Sequence, residues 1–132
     1  MKIILSIKSQ YAEAIFNGEK QYEFRKVIFT KKIESIVVYS TMPIGKFIGE
    51  FKIKEILEKS PEELWSETQE HGGVSKAFFF DYFAGRKKGY AIRIGQLKRY
   101  KHPIDPFSVL PKFVAPQSFR YLEEKELEKV IG

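Results

Sequence analysis

The sequence predicts an α+β fold, a mixed β-barrel of about five to six strands with inserted helices and a C-terminal helix. Extended runs follow one another directly, and the helical segments are inserted between them rather than alternating with them, which argues against a doubly wound sheet. The chain has 132 residues and a mass of 15.5 kDa, the size of one domain spanning 1–132. Twelve Phe, seven Tyr and one Trp make it 15% aromatic. That many rings fill a small core and leave some free to line a cleft.

Residues 2–7 form a short β-rich run. Ser9 is placed to cap a helix over 9–16, with Tyr11, Ala12, Ile15 and Phe16 on one side, and Gly18 stands where a left-handed helix stop belongs. The chain reads as extended from 20 to 29. The run Ile36-Val37-Val38-Tyr39 within 35–40 suits a strand buried on both faces. After a loop at 41–45, residues 46–57 form the longest strand candidate. Phe47, Gly49, Phe51 and Ile53 fall on one of its faces, and Glu50, Lys52 and Lys54 on the other. Gly49 predicts a bulge, a bend or the close approach of a neighbour, and the period breaks a second time near Glu55-Ile56.

Ser60-Pro61-Glu62-Glu63 is a helix start with N-cap, N1 proline and capping box, and the helix extends to about Glu70 before Gly72-Gly73. A second helix follows Ser75 and ends at Gly85. Its Phe78, Phe79, Phe80, Tyr82 and Phe83 surround it almost completely, so heavy burial is expected. Residues 88–94 and 96–102 read as two strands broken at Gly95. Pro103, Pro106, Pro111 and Pro116 punctuate an irregular stretch, and a final helix is expected over 119–131 with Leu127, Val130 and Ile131 as its apolar edge.

The absence of cysteine excludes disulfides, thiolate metal sites and a Cys nucleophile. His71 and His102 lie far apart, so neither a metal site nor a cofactor is expected. The net charge of +6 and pI near 9.4 favour an anionic partner, nucleic acid being the commonest. No apolar stretch approaches the roughly 20 residues that span a bilayer, and the start is too short for a secretion signal. A cytoplasmic protein with no membrane partner is expected; the oligomeric state is left open.

The chemistry concentrates between Gly18 and Lys26, where a helix stop is followed at once by a strand bearing Lys20, Glu23 and Arg25. Glu23 and Arg25 share a strand face because side chains alternate with period two. They can form a planar ion pair, or leave the guanidinium for a phosphate. Lys20 has the opposite parity and joins them only if the chain bends between Gly18 and Gln21.

The order Gly18, Lys20, Glu23, Arg25 after a first strand and helix resembles the signature of the ASCH domain family. Ile36 to Thr41, Pro43-Ile44-Gly45-Lys46, Ile48-Gly49-Glu50-Phe51, residues 85–92 and residues 116–121 resemble the same family, so the likeness covers nearly the whole chain. It implies a PUA-like barrel with a basic cleft floored by the signature residues, and a role in RNA or nucleotide binding, in RNA metabolism or transcriptional regulation. In such a cleft Lys20 and Arg25 attract phosphate, Glu23 accepts from a base amino group, and nearby rings stack on an unpaired base. Ser40 and Thr41 at a strand end are further candidate contacts. The basic run Arg86-Lys87-Lys88, followed by Arg93, Lys98, Arg99 and Lys101, is a candidate backbone-contacting patch. Tyr22, pointing away from Glu23, is expected in the core.

Some ASCH-like proteins are similar to small amidohydrolases acting on acetylated cytidine, and others are reported as ribonucleases. In the amidohydrolase pattern a lysine precedes a threonine by three positions, and a glutamate near the end of the first inserted helix completes the set. Here Lys20 and Glu70 match, but Glu23 stands at the threonine position. As a hydrolase the protein would use Lys20, Glu23 and Glu70; yet Glu23 is expected to raise the proton affinity of Lys20 and weaken it as a base. The signature therefore favours binding over hydrolysis.

Overall fold

A computed structural model describes residues 1–123, 125, 126 and 129. Before Glu123 the chain forms, in order, β1 (Lys2–Ile7), α1 (Ser9–Phe16), β2 (Tyr22–Arg25), β3 (Ser35–Ser40), β4 (Lys46–Lys59), α2 (Pro61–Thr68), α3 (Lys76–Tyr82), β5 (Gly89–Ile104), α4 (Pro106–Val109) and β6 (Phe119–Leu122). The strands build one curled half-barrel in the order β2-β5-β4-β3-β1-β6, with β1 and β3 parallel and the other neighbours antiparallel. This is the expected α+β barrel with inserted helices.

Every residue of β3 is buried. A strand in mid-sheet with both faces covered carries no polar alternation. One face, with Ile36 and Val38, joins Ile3, Leu5, Ile7 and Phe51 under α1. On the opposite face Val37 and Tyr39 join Ile4, Phe47, Phe113 and Leu122. A third cluster gathers Phe24, Leu64, Phe79, Phe83 and Ala91 where α2 and α3 pack on β2 and β5.

The register of β4 corrects the expected faces. Tyr39 pairs with Phe47, Val37 with Glu50 and Ile36 with Phe51, with a shift at Val38/Tyr39. The extra residue puts Phe47 and Glu50 on one face and Phe51 on the other. Gly49 sits at this irregularity, where an added Cβ would stand 2.7 Å from Lys98 O and from the Phe16 ring. Further shifts occur between Phe51 and Glu55, just ahead of the expected second break. Glu50, turned inward, accepts from Lys2 Nζ and Tyr100 Oη, each at 2.8 Å.

The remaining departures have local causes. Lys8, not Ser9, is the N-cap of α1, and it provides no side-chain cap bond. The extended run after Gln21 ends at Arg25. Gly95 does not break β5: it lets the strand pass Lys52 O of β4, which an added Cβ would approach to 2.9 Å. On α3 only Phe79 is buried, and Phe78 is 40% exposed because that side faces a cleft. Residues 119–122 are the edge strand β6 rather than the start of a helix, while Leu127, Val130 and Ile131 lie outside the described residues. The Ser60 cap holds as expected, its hydroxyl accepting from Glu63 N at 3.3 Å.

Candidate functional site

The helix stop at Gly18 makes the site. Gly18 takes φ +88°, a left-handed conformation that glycine adopts without a Cβ penalty. The chain then folds back, Lys20 N donating to Ala14 O at 3.0 Å and Gln21 N to His71 O at 2.7 Å. This bend supplies the turn that strand parity required of Lys20. Lys20, Glu23 and Arg25 together line a cleft of about 450 Å3 between β2, the end of β1, the start of α1, and α3.

Lys20 is only 2% exposed. Its Nζ donates to Gly72 O at 2.6 Å and lies 4.8 Å from the centre of the Phe24 ring and 5.5 Å from that of Tyr11. Burial holds its proton affinity below that of an ordinary lysine; Glu23 pulls the other way, and Arg25 adds to the lowering. Glu23 acts in the expected direction, but the expected net rise is corrected to a lowering. Desolvation wins, because no carboxylate among the described residues forms an ion pair with Nζ.

Glu23 and Arg25 make the planar pair that their parity allows. Arg25 Nη2 and Nε donate to the single oxygen Glu23 Oε2 at 2.6 and 3.0 Å. The guanidinium also donates to Ser6 O at 2.9 Å and reaches Ser118 O at 3.4 Å. Arg25 is thus engaged in joining β2 to β1 and to the residue before β6, and is not left free as a phosphate ligand. Glu23 Oε1 makes no hydrogen bond among the described residues and remains an acceptor on the cleft floor.

The cleft walls add Lys8, Tyr11, Lys26, Asp81 and Gln117, which the sequence did not single out as site residues, and Phe78 and Tyr82 from the aromatic helix. Four basic side chains (Lys8, Lys20, Arg25, Lys26) face two carboxylates (Glu23, Asp81), so the lining is net positive. Phe78 and Tyr82, one helical turn apart on α3, hold their rings within 7° of parallel at 6.3 Å. Lys26 Nζ lies 4.8 Å from the Tyr82 ring centre. Burial pushes the Tyr82 hydroxyl up, so it stays protonated, donating to Phe24 O at 3.3 Å. The i, i+4 spacing of Phe78 and Tyr82 was the signal available in the sequence; a continuous run of five aromatic positions out of six hid which rings face outward.

Other candidates stand elsewhere. Glu70 is exposed beyond the end of α2, outside the lining. Ser40 is buried at the end of β3, and Thr41 gives its backbone N–H to Ile7 O at 3.1 Å; neither lines the cleft. Arg86, Lys87 and Lys88 are exposed in the turn before β5, with Lys88 Nζ 3.3 Å from Glu58 Oε2. Arg93 and Arg99 are likewise ion-paired, with Glu55 and Glu13. Tyr22 packs with the third core cluster. Among the described residues no group of three or more His, Cys, Asp or Glu is placed to hold a metal, and no helix is long and apolar enough to cross a membrane.

The ASCH domain family matches residues 5–130. A protein of Zymomonas mobilis subsp. mobilis named ASCH domain-containing ribonuclease is 29% identical, the alignment covering 98% of this chain and 89% of that protein. The crystal structure of ASCH from Zymomonas mobilis is similar with a TM-score of 0.92 at 27% identity, over 98% of this chain and 93% of that one. The N-terminal domain of Staphylothermus marinus McrB shares the fold alone, with a TM-score of 0.63 at 14% identity over 98% of this chain and 92% of that one.

Proposed function

Because the chain belongs to the ASCH domain family, we propose that it binds single-stranded RNA, taking one unpaired nucleotide into the cleft above Lys20 and Glu23. The observation that carries this reading is the convergence of a buried lysine, a carboxylate with one free oxygen and the exposed Phe78 ring in a single net-positive cleft. Phe78 offers a face on which a base stacks, Glu23 Oε1 accepts from a base N–H, and Lys8 and Lys26 at the walls attract phosphate. A base inside a duplex has its faces already stacked and its Watson–Crick edge already paired, so it cannot enter the cleft in this way.

The test is fluorescence anisotropy with a short single-stranded RNA, read against salt. Phe78→Ala is expected to weaken binding about tenfold, in line with the roughly 1–3 kcal/mol per stacked base, and Lys20→Met by a similar factor through loss of a charged donor, worth roughly 1.5–3 kcal/mol. Changing Lys8 and Lys26 together to Ala should reduce the salt slope by about 1.4, at roughly 0.7 per phosphate contact on a single strand. No binding at low salt, or binding indifferent to all three changes, overturns the reading.

A second reading, RNA cleavage, is supported by one observation, the lowered proton affinity of Lys20. A neutral amine at the cleft floor can accept a proton from an attacking hydroxyl, and the Zymomonas relative is named a ribonuclease. The same RNA, incubated and resolved on a gel, decides it: cleavage that Lys20→Met abolishes supports catalysis, and an intact strand at saturating protein rejects it.

A further inference from the structure

The connection between α2 and α3 is built around one side chain. Gly72 is buried, and an added Cβ there would meet Thr68 O at 3.0 Å and the Phe24 ring at 3.1 Å. Its carbonyl accepts from Lys20 Nζ at 2.6 Å, while the preceding carbonyl, His71 O, accepts from Gln21 N at 2.7 Å. Gly73 takes φ +70°, and an added Cβ would lie 2.7 Å from both Cβ and Cγ of Lys20. Gly73 thus packs against the lysine stem while the carbonyl of Gly72 holds its tip. The start of α3 does not depend on this arrangement, since Ser75 caps it.

We propose that Gly72 and Gly73 are positioning residues of the cleft, Gly73 clamping the Lys20 stem and the Gly72 carbonyl its tip, so that the amine is presented to the bound nucleotide over the Tyr11 and Phe24 rings. This rests on reading the cleft as a nucleotide site. A side chain at position 73 displaces the methylene stem, and the tip then leaves Gly72 O for water. The clamp also sets the lysine's proton affinity, since it keeps the amine out of solvent. The charged and titratable groups around it are Glu23 and Arg25 on β2, Tyr11 on α1, Asp81 and Tyr82 on α3, and Lys8 and Lys26 at the walls.

A paired substitution separates the clamp from ordinary backbone strain. Gly85 has a comparable φ of +79° but nothing within 4 Å of an added Cβ, so Gly85→Ala carries the left-handed penalty alone, whereas Gly73→Ala adds the collision with Lys20. Purified wild type, G73A and G85A are labelled with pyridoxal 5′-phosphate and borohydride over a pH series, and modification of Lys20 is quantified by mass spectrometry. Thermal midpoints and single-stranded RNA affinity are measured alongside. In wild type and G85A, Lys20 should label with a midpoint below that of the exposed lysines. In G73A that midpoint should rise by about one pH unit, a tenfold change in the neutral fraction, and RNA affinity should fall about tenfold while the thermal midpoint tracks G85A. If G73A does not fold, Gly73→Asn keeps the Cβ collision with a residue that tolerates positive φ. G73A and G85A labelling alike, or wild-type Lys20 labelling like a surface lysine, overturns the clamp. Failure of wild type to bind RNA defeats the nucleotide reading instead, with the labelling comparison still deciding the clamp.

Discussion

Lys20 and Glu50 show how differently one fold treats its buried charges. Glu50 receives two hydrogen bonds, from Lys2 and Tyr100, and the Tyr100 hydroxyl is pushed far up by burial and by the adjacent carboxylate. That network is closed and structural. Lys20 has one carbonyl and two ring faces, and the net effect of its surroundings is to disfavour the proton. Its folded-state proton affinity therefore lies below the ordinary value of 10.5. Between those two values the unfolded chain binds more protons at this position, so stability rises with pH across that window and is lost as pH falls through the folded value. Urea unfolding of wild type and Lys20→Met, compared from pH 7 to about pH 10, should show wild type gaining relative to the variant; the shared tyrosines and lysines cancel in the difference. Parallel profiles would show that Lys20 is solvated.

At the scale of elements, the decisive features are breaks in regular structure. The Gly18 stop ends α1 and aims Lys20, and the irregularity at Gly49 rotates Phe47 and Glu50 to the face opposite Phe51. Gly49→Ala places a methyl 2.7 Å from a backbone carbonyl of β5 and from the Phe16 ring. The ring can shift, whereas the carbonyl of a paired strand moves only with the sheet. A loss of about 1–3 kcal/mol is expected by urea unfolding, the range for overpacking a well-filled site. An unchanged midpoint would mean that the contact between α1 and β5 relaxes freely. The α3 helix shows the complementary effect. Its aromatic run serves the core through Phe79 and Phe83 and lines the cleft through Phe78 and Tyr82, so one short segment is shared between core and cleft.

For the whole molecule, the sheet order leaves β2 and β6 at opposite edges, and a half-barrel needs something across the gap. Arg25 spans it, tying Glu23 on β2 to Ser6 O on β1 and reaching Ser118 O beside β6. The pair is well buried, with side chains 11% and 10% exposed. Arg25→Met strands a carboxylate on the cleft floor and should cost about 3–5 kcal/mol of stability by chemical denaturation. Adding Glu23→Gln to it should recover part of the loss. A surface-like cost below about 1 kcal/mol would remove Arg25 from the seam.

Much of this was legible in the residues. The order of elements from β1 to α3, the Ser60 cap, the buried strand at β3, the irregularity at Gly49 and the pairing of Glu23 with Arg25 all follow from rules acting over a few residues: period, capping and steric demand. The signature from Gly18 to Arg25 carried the family assignment and the PUA-like α+β barrel with it. Only the tertiary structure decided what those groups are for. Whether Arg25 was free depended on β1 and on Ser118, far along the chain, and the proton affinity of Lys20 depended on burial by the Gly72-Gly73 connection rather than on its near neighbour Glu23. Lys8, Lys26 and Phe78 reached the cleft while Glu70 and the Arg86-Lys87-Lys88 run did not, because the curl of the sheet sets which distant surfaces meet. Local rules specify elements; solvent exclusion and long-range contact specify which of their charges remain available.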